Sequence, residues 1–147
     1  MADPSYIGTK SAPVTVPVEA GQLKFFAKAT GETNPVYTDE ASAKAAGYNA
    51  LPAPPTFAFS LNLARPDPFA TYTSLGLDLG RILHAEQAFE YGVPICAGDT
   101  ITITETLVDI FEKRGGALAF YVFEGIATNQ RGEIAMKTRN TLAYRQG

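Results

Sequence analysis

The chain has 147 residues, 46% of them apolar, and a net charge of -3 from 12 basic and 15 acidic side chains. That length and apolar fraction suit one domain with a real core, and the dispersed charge lacks the clustered basic face that nucleic acid requires. No apolar run approaches the roughly 20 residues of a membrane span, and one cysteine with one histidine is a poor set for structural zinc and cannot close an internal disulfide. Met1–Pro4 has neither the charge nor the apolar core of a signal peptide, so the cytoplasm is the expected compartment. Residues 1–12 are polar and read as a loose arm ahead of one domain spanning 13–147. Val14, Val16 and Val18 alternate with Thr15 and Pro17, the pattern of a short edge strand that tolerates proline. Glu19–Thr30 predicts a helix with Leu23, Phe26 and Ala27 on one face, packed as core. Gly31 suits its C-terminus.

Asn34-Pro35 is a turn signal. Asp39 is placed to cap a short helix over Glu40–Ala46, with Gly47 at its end. Thr56–Ala64 is apolar nearly all round and predicts a buried helix. Pro54 and Pro55 suit its entry, and Pro66 and Pro68 stop it. Residues 65–80 are irregular, and lid, channel wall and linker all remain open for them. From Arg81 the period changes to that of strands: Arg81–Tyr91, Thr100–Phe111, Ala117–Thr128 and Glu133–Arg145. Turns are expected at Gly98-Asp99, Lys113–Gly116 and Asn129–Gly132. The apolar phase of the second strand slips between Ile103 and Val108, which predicts a bulge. The third is apolar on both faces, so it needs a partner on each. Helices first and an antiparallel meander after them make an α+β domain.

Gly31-Glu32-Thr33-Asn34-Pro35-Val36-Tyr37 resembles the hydratase motif of the MaoC-like (R)-specific enoyl-CoA hydratases and dehydratases, Gly-Asp-x-Asn-Pro-x-His. Ala53–Phe57, His84–Gln87 and Pro94–Asp99 look like the N-terminal, FAS1-like dehydratase branch of that family. The resemblance covers the chain from about Val14 to Arg145. It implies a single hot-dog domain, an antiparallel sheet wrapped around a central helix at Thr56–Ala64. It also implies interconversion of 2-enoyl and (R)-3-hydroxyacyl thioesters, carried on CoA or acyl carrier protein, with no metal or redox cofactor. The N-terminal branch often supplies the non-catalytic half of a two-hot-dog unit, so a homodimer or a heterodimer with a second MaoC-like subunit is expected.

Hydration of an enoyl thioester needs a base for water, an acid for the α-carbon and donors for the enolate oxygen. By the resemblance the family's catalytic Asp and His fall on Glu32 and Tyr37, and both depart from the motif. A tyrosine ordinarily ionises near pH 10 and a histidine near 6.5, so Tyr37 is a poor replacement base. Glu32 is one methylene longer than Asp, in chemistry that tolerates little displacement. Active members usually place a glycine near Pro55, whereas proline has no N–H to donate. Asn34, Thr56, Phe57 and His84 complete the candidate substrate contacts, with His84 equally readable as a structural sheet residue. Cys96 reads as a buried structural thiol. The stripe Lys137, Arg139 and Arg145 fits either a solvated sheet face or a contact to CoA phosphates. Three roles remain open at this level: self-sufficient hydratase, accessory subunit, and non-catalytic acyl-CoA binding module.

Overall fold

The computed structural model describes residues 2–146. Five antiparallel strands form one sheet in the order β1-β3-β4-β5-β2: β1 Val14–Pro17, β2 Ile82–Tyr91, β3 Thr100–Lys113, β4 Leu118–Thr128 and β5 Ile134–Arg145. Four helices precede or interrupt them: α1 Ala20–Ala29, α2 Glu40–Ala45, α3 Phe57–Asn62 and α4 Ala70–Ser74. The inner face of the sheet carries Ile101, Ile103 and Leu107 of β3, Tyr121, Phe123 and Ala127 of β4, and Met136 and Leu142 of β5, all buried. Phe57, Ala58 and Leu61 of α3 are buried in the same core as Ile101, Ile103, Ala127 and Met136. This is the expected hot-dog arrangement, with α3 as the wrapped helix.

α3 is shorter than the apolar run that predicts it. Thr56 takes a left-handed conformation, φ 69°, and therefore stands outside the helix as its N-cap. The irregular segment contains α4, started by Asp67, whose Oδ1 accepts the Phe69 N–H at 2.9 Å. Leu75 and Leu77 follow and are buried against Leu107, Ile110, Tyr121 and Leu142. This segment thus closes the far end of the inner face with a second apolar cluster. The arm is tied down rather than loose. Gly8 N–H donates to the Leu107 carbonyl at 2.8 Å and Ser11 N–H to the Glu105 carbonyl at 2.9 Å. The Arg65 guanidinium joins the arm to the core, donating to Ser11 Oγ at 3.2 Å, to the Ile103 carbonyl at 3.4 Å and to the Ala12 carbonyl.

Two of the three register irregularities in the sheet decide which side chains of β2 and β3 face inward. In β3, Leu107 pairs with Phe123 and Asp109 with Val122, leaving Val108 as the extra residue. Ile110 consequently shares the inner face with Leu107, which strict alternation forbids. In β2, His84 pairs with Leu142 and Glu86 with Thr141, leaving Ala85 extra. That bulge puts His84 and Gln87, three residues apart, on one face.

Candidate functional site

The degenerate motif loop is built from helix-end chemistry. α1 closes with a Schellman arrangement: Glu32 N–H donates to the Ala27 carbonyl at 2.9 Å and Gly31 N–H to the Lys28 carbonyl at 3.2 Å. Gly31 supplies the positive φ, 71°, that this requires. The Glu32 carboxylate turns back to accept the Asn34 N–H at 2.8 Å. Asn34 Oδ1 accepts the Val36 N–H at 3.1 Å and caps a single 3-10 turn over Pro35–Tyr37. Asp39 Oδ2 then accepts from Ser42 N–H and Oγ, both at 2.7 Å, starting α2. The loop is therefore a hydrogen-bonded frame that packs Val36 against the core and turns Tyr37 toward a cavity.

Tyr37 opens into a cavity of about 240 Å³ that it shares with Tyr48, Thr56, Ala58 and Tyr91. Burial pushes the Tyr37 hydroxyl's pKa above the ordinary tyrosine value, and neighbouring Tyr48, Glu32 and Tyr91 push it further. It stays protonated at neutral pH and can donate a hydrogen bond, but cannot serve as the base. The donors at the start of α3 are occupied within the chain. Phe57 N–H donates to the Pro54 carbonyl at 3.1 Å, and Thr56 N–H donates to Tyr91 Oη at 3.2 Å. Of the two, only the Thr56 N–H is held by a side chain, that of Tyr91, which is 58% exposed.

His84 stands elsewhere. Its ring meets Phe59 edge-on at 5.8 Å, and it lines a second, smaller cavity of about 60 Å³ with Asn62, Tyr72, Gln87, Glu105 and Asn140. The structure thus brings Glu32, Asn34, Tyr37 and Thr56 into one neighbourhood, lays Phe57 into the core beneath it, and puts His84 in another. Among the described residues no cluster of three metal-ligating side chains forms, and no helix is long and apolar enough to cross a membrane. Cys96 is half-buried, its N–H held by Asp99 Oδ2 at 2.8 Å, and burial raises its thiol pKa. The basic stripe lies on the outer face. There Lys137 pairs with Glu90 at 3.2 Å and Arg139 with Glu124, so two of its three charges are neutralised locally.

The sequence profile of the FAS1-like dehydratase domain region matches residues 5–138. The chain belongs to this family. A UPF0336 protein of Streptomyces avermitilis is 44% identical over 110 residues, 74% of this chain and 73% of its own. The C-terminally truncated HadBC (3R-hydroxyacyl-ACP dehydratase) complex of Mycobacterium tuberculosis contains a chain that superposes with a TM-score of 0.78 at 25% identity, over 93% of this chain and 96% of that one. The (R)-hydratase of A. caviae involved in PHA biosynthesis shares the fold, with a TM-score of 0.68 at 19% identity over 92% and 94% of the two chains. A FAS1-like dehydratase domain with the MaoC-like hot-dog fold is thus established for this chain. Within that frame Tyr48 and Tyr91 are the site residues that motif reading missed. Their signal is slight: Tyr48 follows the glycine ending α2, and Tyr91 stands one residue before a Gly-Val-Pro strand end.

Proposed function

We propose that this chain is the substrate-binding half of a two-subunit hot-dog dehydratase interconverting 2-enoyl and (R)-3-hydroxyacyl thioesters of CoA or acyl carrier protein. The observation that carries this reading is the replacement of the motif imidazole by the Tyr37 phenol. The loop around it is intact, bonded and aimed at a cavity, yet its only group there is one whose pKa is pushed away from neutrality. General-base activation of water works best with a group ionising near the working pH. The Glu32 carboxylate, the remaining base of the loop, already accepts a backbone N–H. An unlike subunit with an intact Gly-Asp-x-Asn-Pro-x-His loop supplies what is missing. The cavity here, with the Tyr37 and Tyr48 hydroxyls and Thr56 at its rim, holds the substrate.

The edges of the sheet support assembly. β1 is four residues long and carries Pro17, a blunted edge. β2 presents ten residues with an unpaired edge, and beside it Phe59 of α3 and Leu63, the C-cap of that helix, are exposed. A second hot-dog subunit laid along β2 covers both. The similarity to a chain of a 3R-hydroxyacyl-ACP dehydratase complex favours a heterodimer over a homodimer.

The test is turnover of crotonyl-CoA and a longer 2-enoyl-CoA, followed at the enoyl thioester absorbance. The purified chain alone is expected to be silent, and activity is expected on adding the co-encoded subunit with the intact motif. Turnover by the chain alone, falling at least tenfold in Tyr37→Phe, would show a self-sufficient enzyme and sink the accessory role. Tenfold corresponds to about 1.4 kcal/mol in barrier. Silence in both assays with retained acyl-CoA binding would leave a non-catalytic binding module.

A further inference from the structure

The second cavity has a composition that hydrocarbon does not explain. It sits on the inner face of the sheet beside α3, where a packed core normally continues, and its largely apolar wall also carries the polar side chains of Asn62, Gln87, Glu105 and Asn140. Asn140 is only 4% exposed, and its Oδ1 has no hydrogen-bond partner. Gln87 Oε1 on the adjacent strand is also buried and unpartnered. The two residues are direct cross-strand neighbours between β2 and β5, and both line this cavity. Tyr72 reaches the Asn140 side chain, and Asn62 hydrogen-bonds the Glu105 carboxyl. Space is kept by Gly125, which lies between Glu105 and Thr138 in register. A Cβ there would stand 2.3 Å from Thr138 Oγ1. Buried acceptors without donors are rare and costly in folded proteins.

We propose that this cavity is a specificity subsite for a hydroxyl group on the distal part of the acyl chain, read by Asn140 and Gln87. The proposal rests on the acyl-thioester reading above and names its substrate class: oxygenated acyl thioesters in preference to plain alkyl ones. Ala58 lines both cavities, and the proposed path takes a chain that enters at Tyr37 and Thr56 past this small residue into the second. Asn62 lies six residues beyond Thr56, about 9 Å along a helix rising about 1.5 Å per residue, a span that a medium-length chain covers. A hydroxyl both donates and accepts, and therefore pairs with a side-chain amide in either rotamer. A methyl terminus leaves both amide oxygens unpaired, whereas a hydroxyl donates its one hydrogen to one of them and can accept from a side-chain NH2 beside it. A cationic terminus meets the Arg65 guanidinium, which acts on Glu105 from nearby. The volume, about 60 Å³, equals roughly two waters, so water is the competing occupant.

The experiment titrates the purified chain with octanoyl-CoA and with ω-hydroxyoctanoyl-CoA by calorimetry. In parallel, butanediol is added while the side-chain amide resonances of Gln87 and Asn140 are followed by NMR, assigned from Asn140→Leu and Gln87→Leu. The hydroxylated thioester is expected to bind at least tenfold more tightly and to shift both amide resonances. The preference for the hydroxylated thioester over octanoyl-CoA is expected to vanish in Asn140→Leu. Should Asn140→Leu fail to fold, Gln87→Leu carries the same comparison. Equal affinities, or tighter octanoyl-CoA, would mean a cavity that holds water only and would overturn the proposal. If neither thioester binds but butanediol shifts the two amides, the hydroxyl subsite stands and the acyl-thioester reading falls. If neither thioester nor butanediol has any effect, the subsite is refuted.

Discussion

Residues 32 and 37 separate this chain from the intact hydratase motif, and residue 37 is the one that bears on the base. A phenol and an imidazole fit similar space, but only the imidazole titrates near neutral pH, so one substitution removes the base without disturbing the frame that holds it. Other single positions are set by geometry. Gly92 follows Tyr91 at the end of β2, and a Cβ there would lie 2.1 Å from the Ile134 carbonyl oxygen. That contact is with backbone, which cannot turn aside. Gly92→Ala is therefore expected to lose about 1–3 kcal/mol in urea unfolding, the usual range for overpacking; an unchanged midpoint would contradict the close approach. Glu105 is a different case. Burial, its largest influence, raises its carboxyl pKa, with Asn62 and Arg65 opposing. The folded state therefore holds this proton to higher pH than the unfolded chain does. The sign follows: its contribution is fully present below the unfolded value and is lost as pH rises through the raised one. Melting temperatures measured from acid to neutral pH should show that decline, and Glu105→Gln should flatten it.

At the level of elements, α3 and β2 together make the site, and neither does so alone. α3 begins late because Thr56 is left-handed, which leaves its N–H pointing out of the helix to meet Tyr91 Oη. Tyr91 is held in turn by stacking on Phe89, 6.0 Å between ring centres. The tyrosine hydroxyl thus occupies the donor that a thioester carbonyl would use. Tyr91→Phe frees that N–H, and short acyl-CoA ligands are expected to bind several-fold more tightly, worth about 0.5–1.5 kcal/mol for one neutral hydrogen bond. Weaker binding in calorimetry would instead make the Tyr91 hydroxyl itself a ligand contact. The Ala85 bulge does comparable work for the second cavity, since only its extra residue lets His84 and Gln87 face inward together.

For the whole molecule, the unpaired edge of β2 and the exposed Phe59 and Leu63 are the features on which the proposed assembly rests. A ten-residue edge strand without proline invites pairing with another chain. Leu63 is 53% exposed in the single chain, so Leu63→Glu costs the monomer little and the dimer much. Sedimentation equilibrium is expected to show a dimer, with itself or with the unlike subunit, that this substitution shifts to monomer. A Leu63→Glu protein that sediments like the parent would place the interface elsewhere.

Much of this was legible in one sequence because it rests on local physical rules. The 2.0 and 3.6 periods separate the four long strands from α1 and α3, and Gly31, Asn34-Pro35 and Asp39 each announce the turn or cap that they make. The motif positions carried the family, and Glu32 and Tyr37 stood out there as departures from its pattern. What the sequence could not show depends on register and on contacts between distant segments. No local signal makes Ala85 the bulged residue, although that choice turns Gln87 inward to Asn140, 53 positions away in the chain. Nothing local predicts that Arg65 will bind the arm to β3, or that Tyr91 will cap Thr56, because those bonds join residues 35 or more positions apart. Helix ends and alternation are decided over a few neighbouring residues. Cavities are decided by which strands lie side by side, and only the folded sheet determines that.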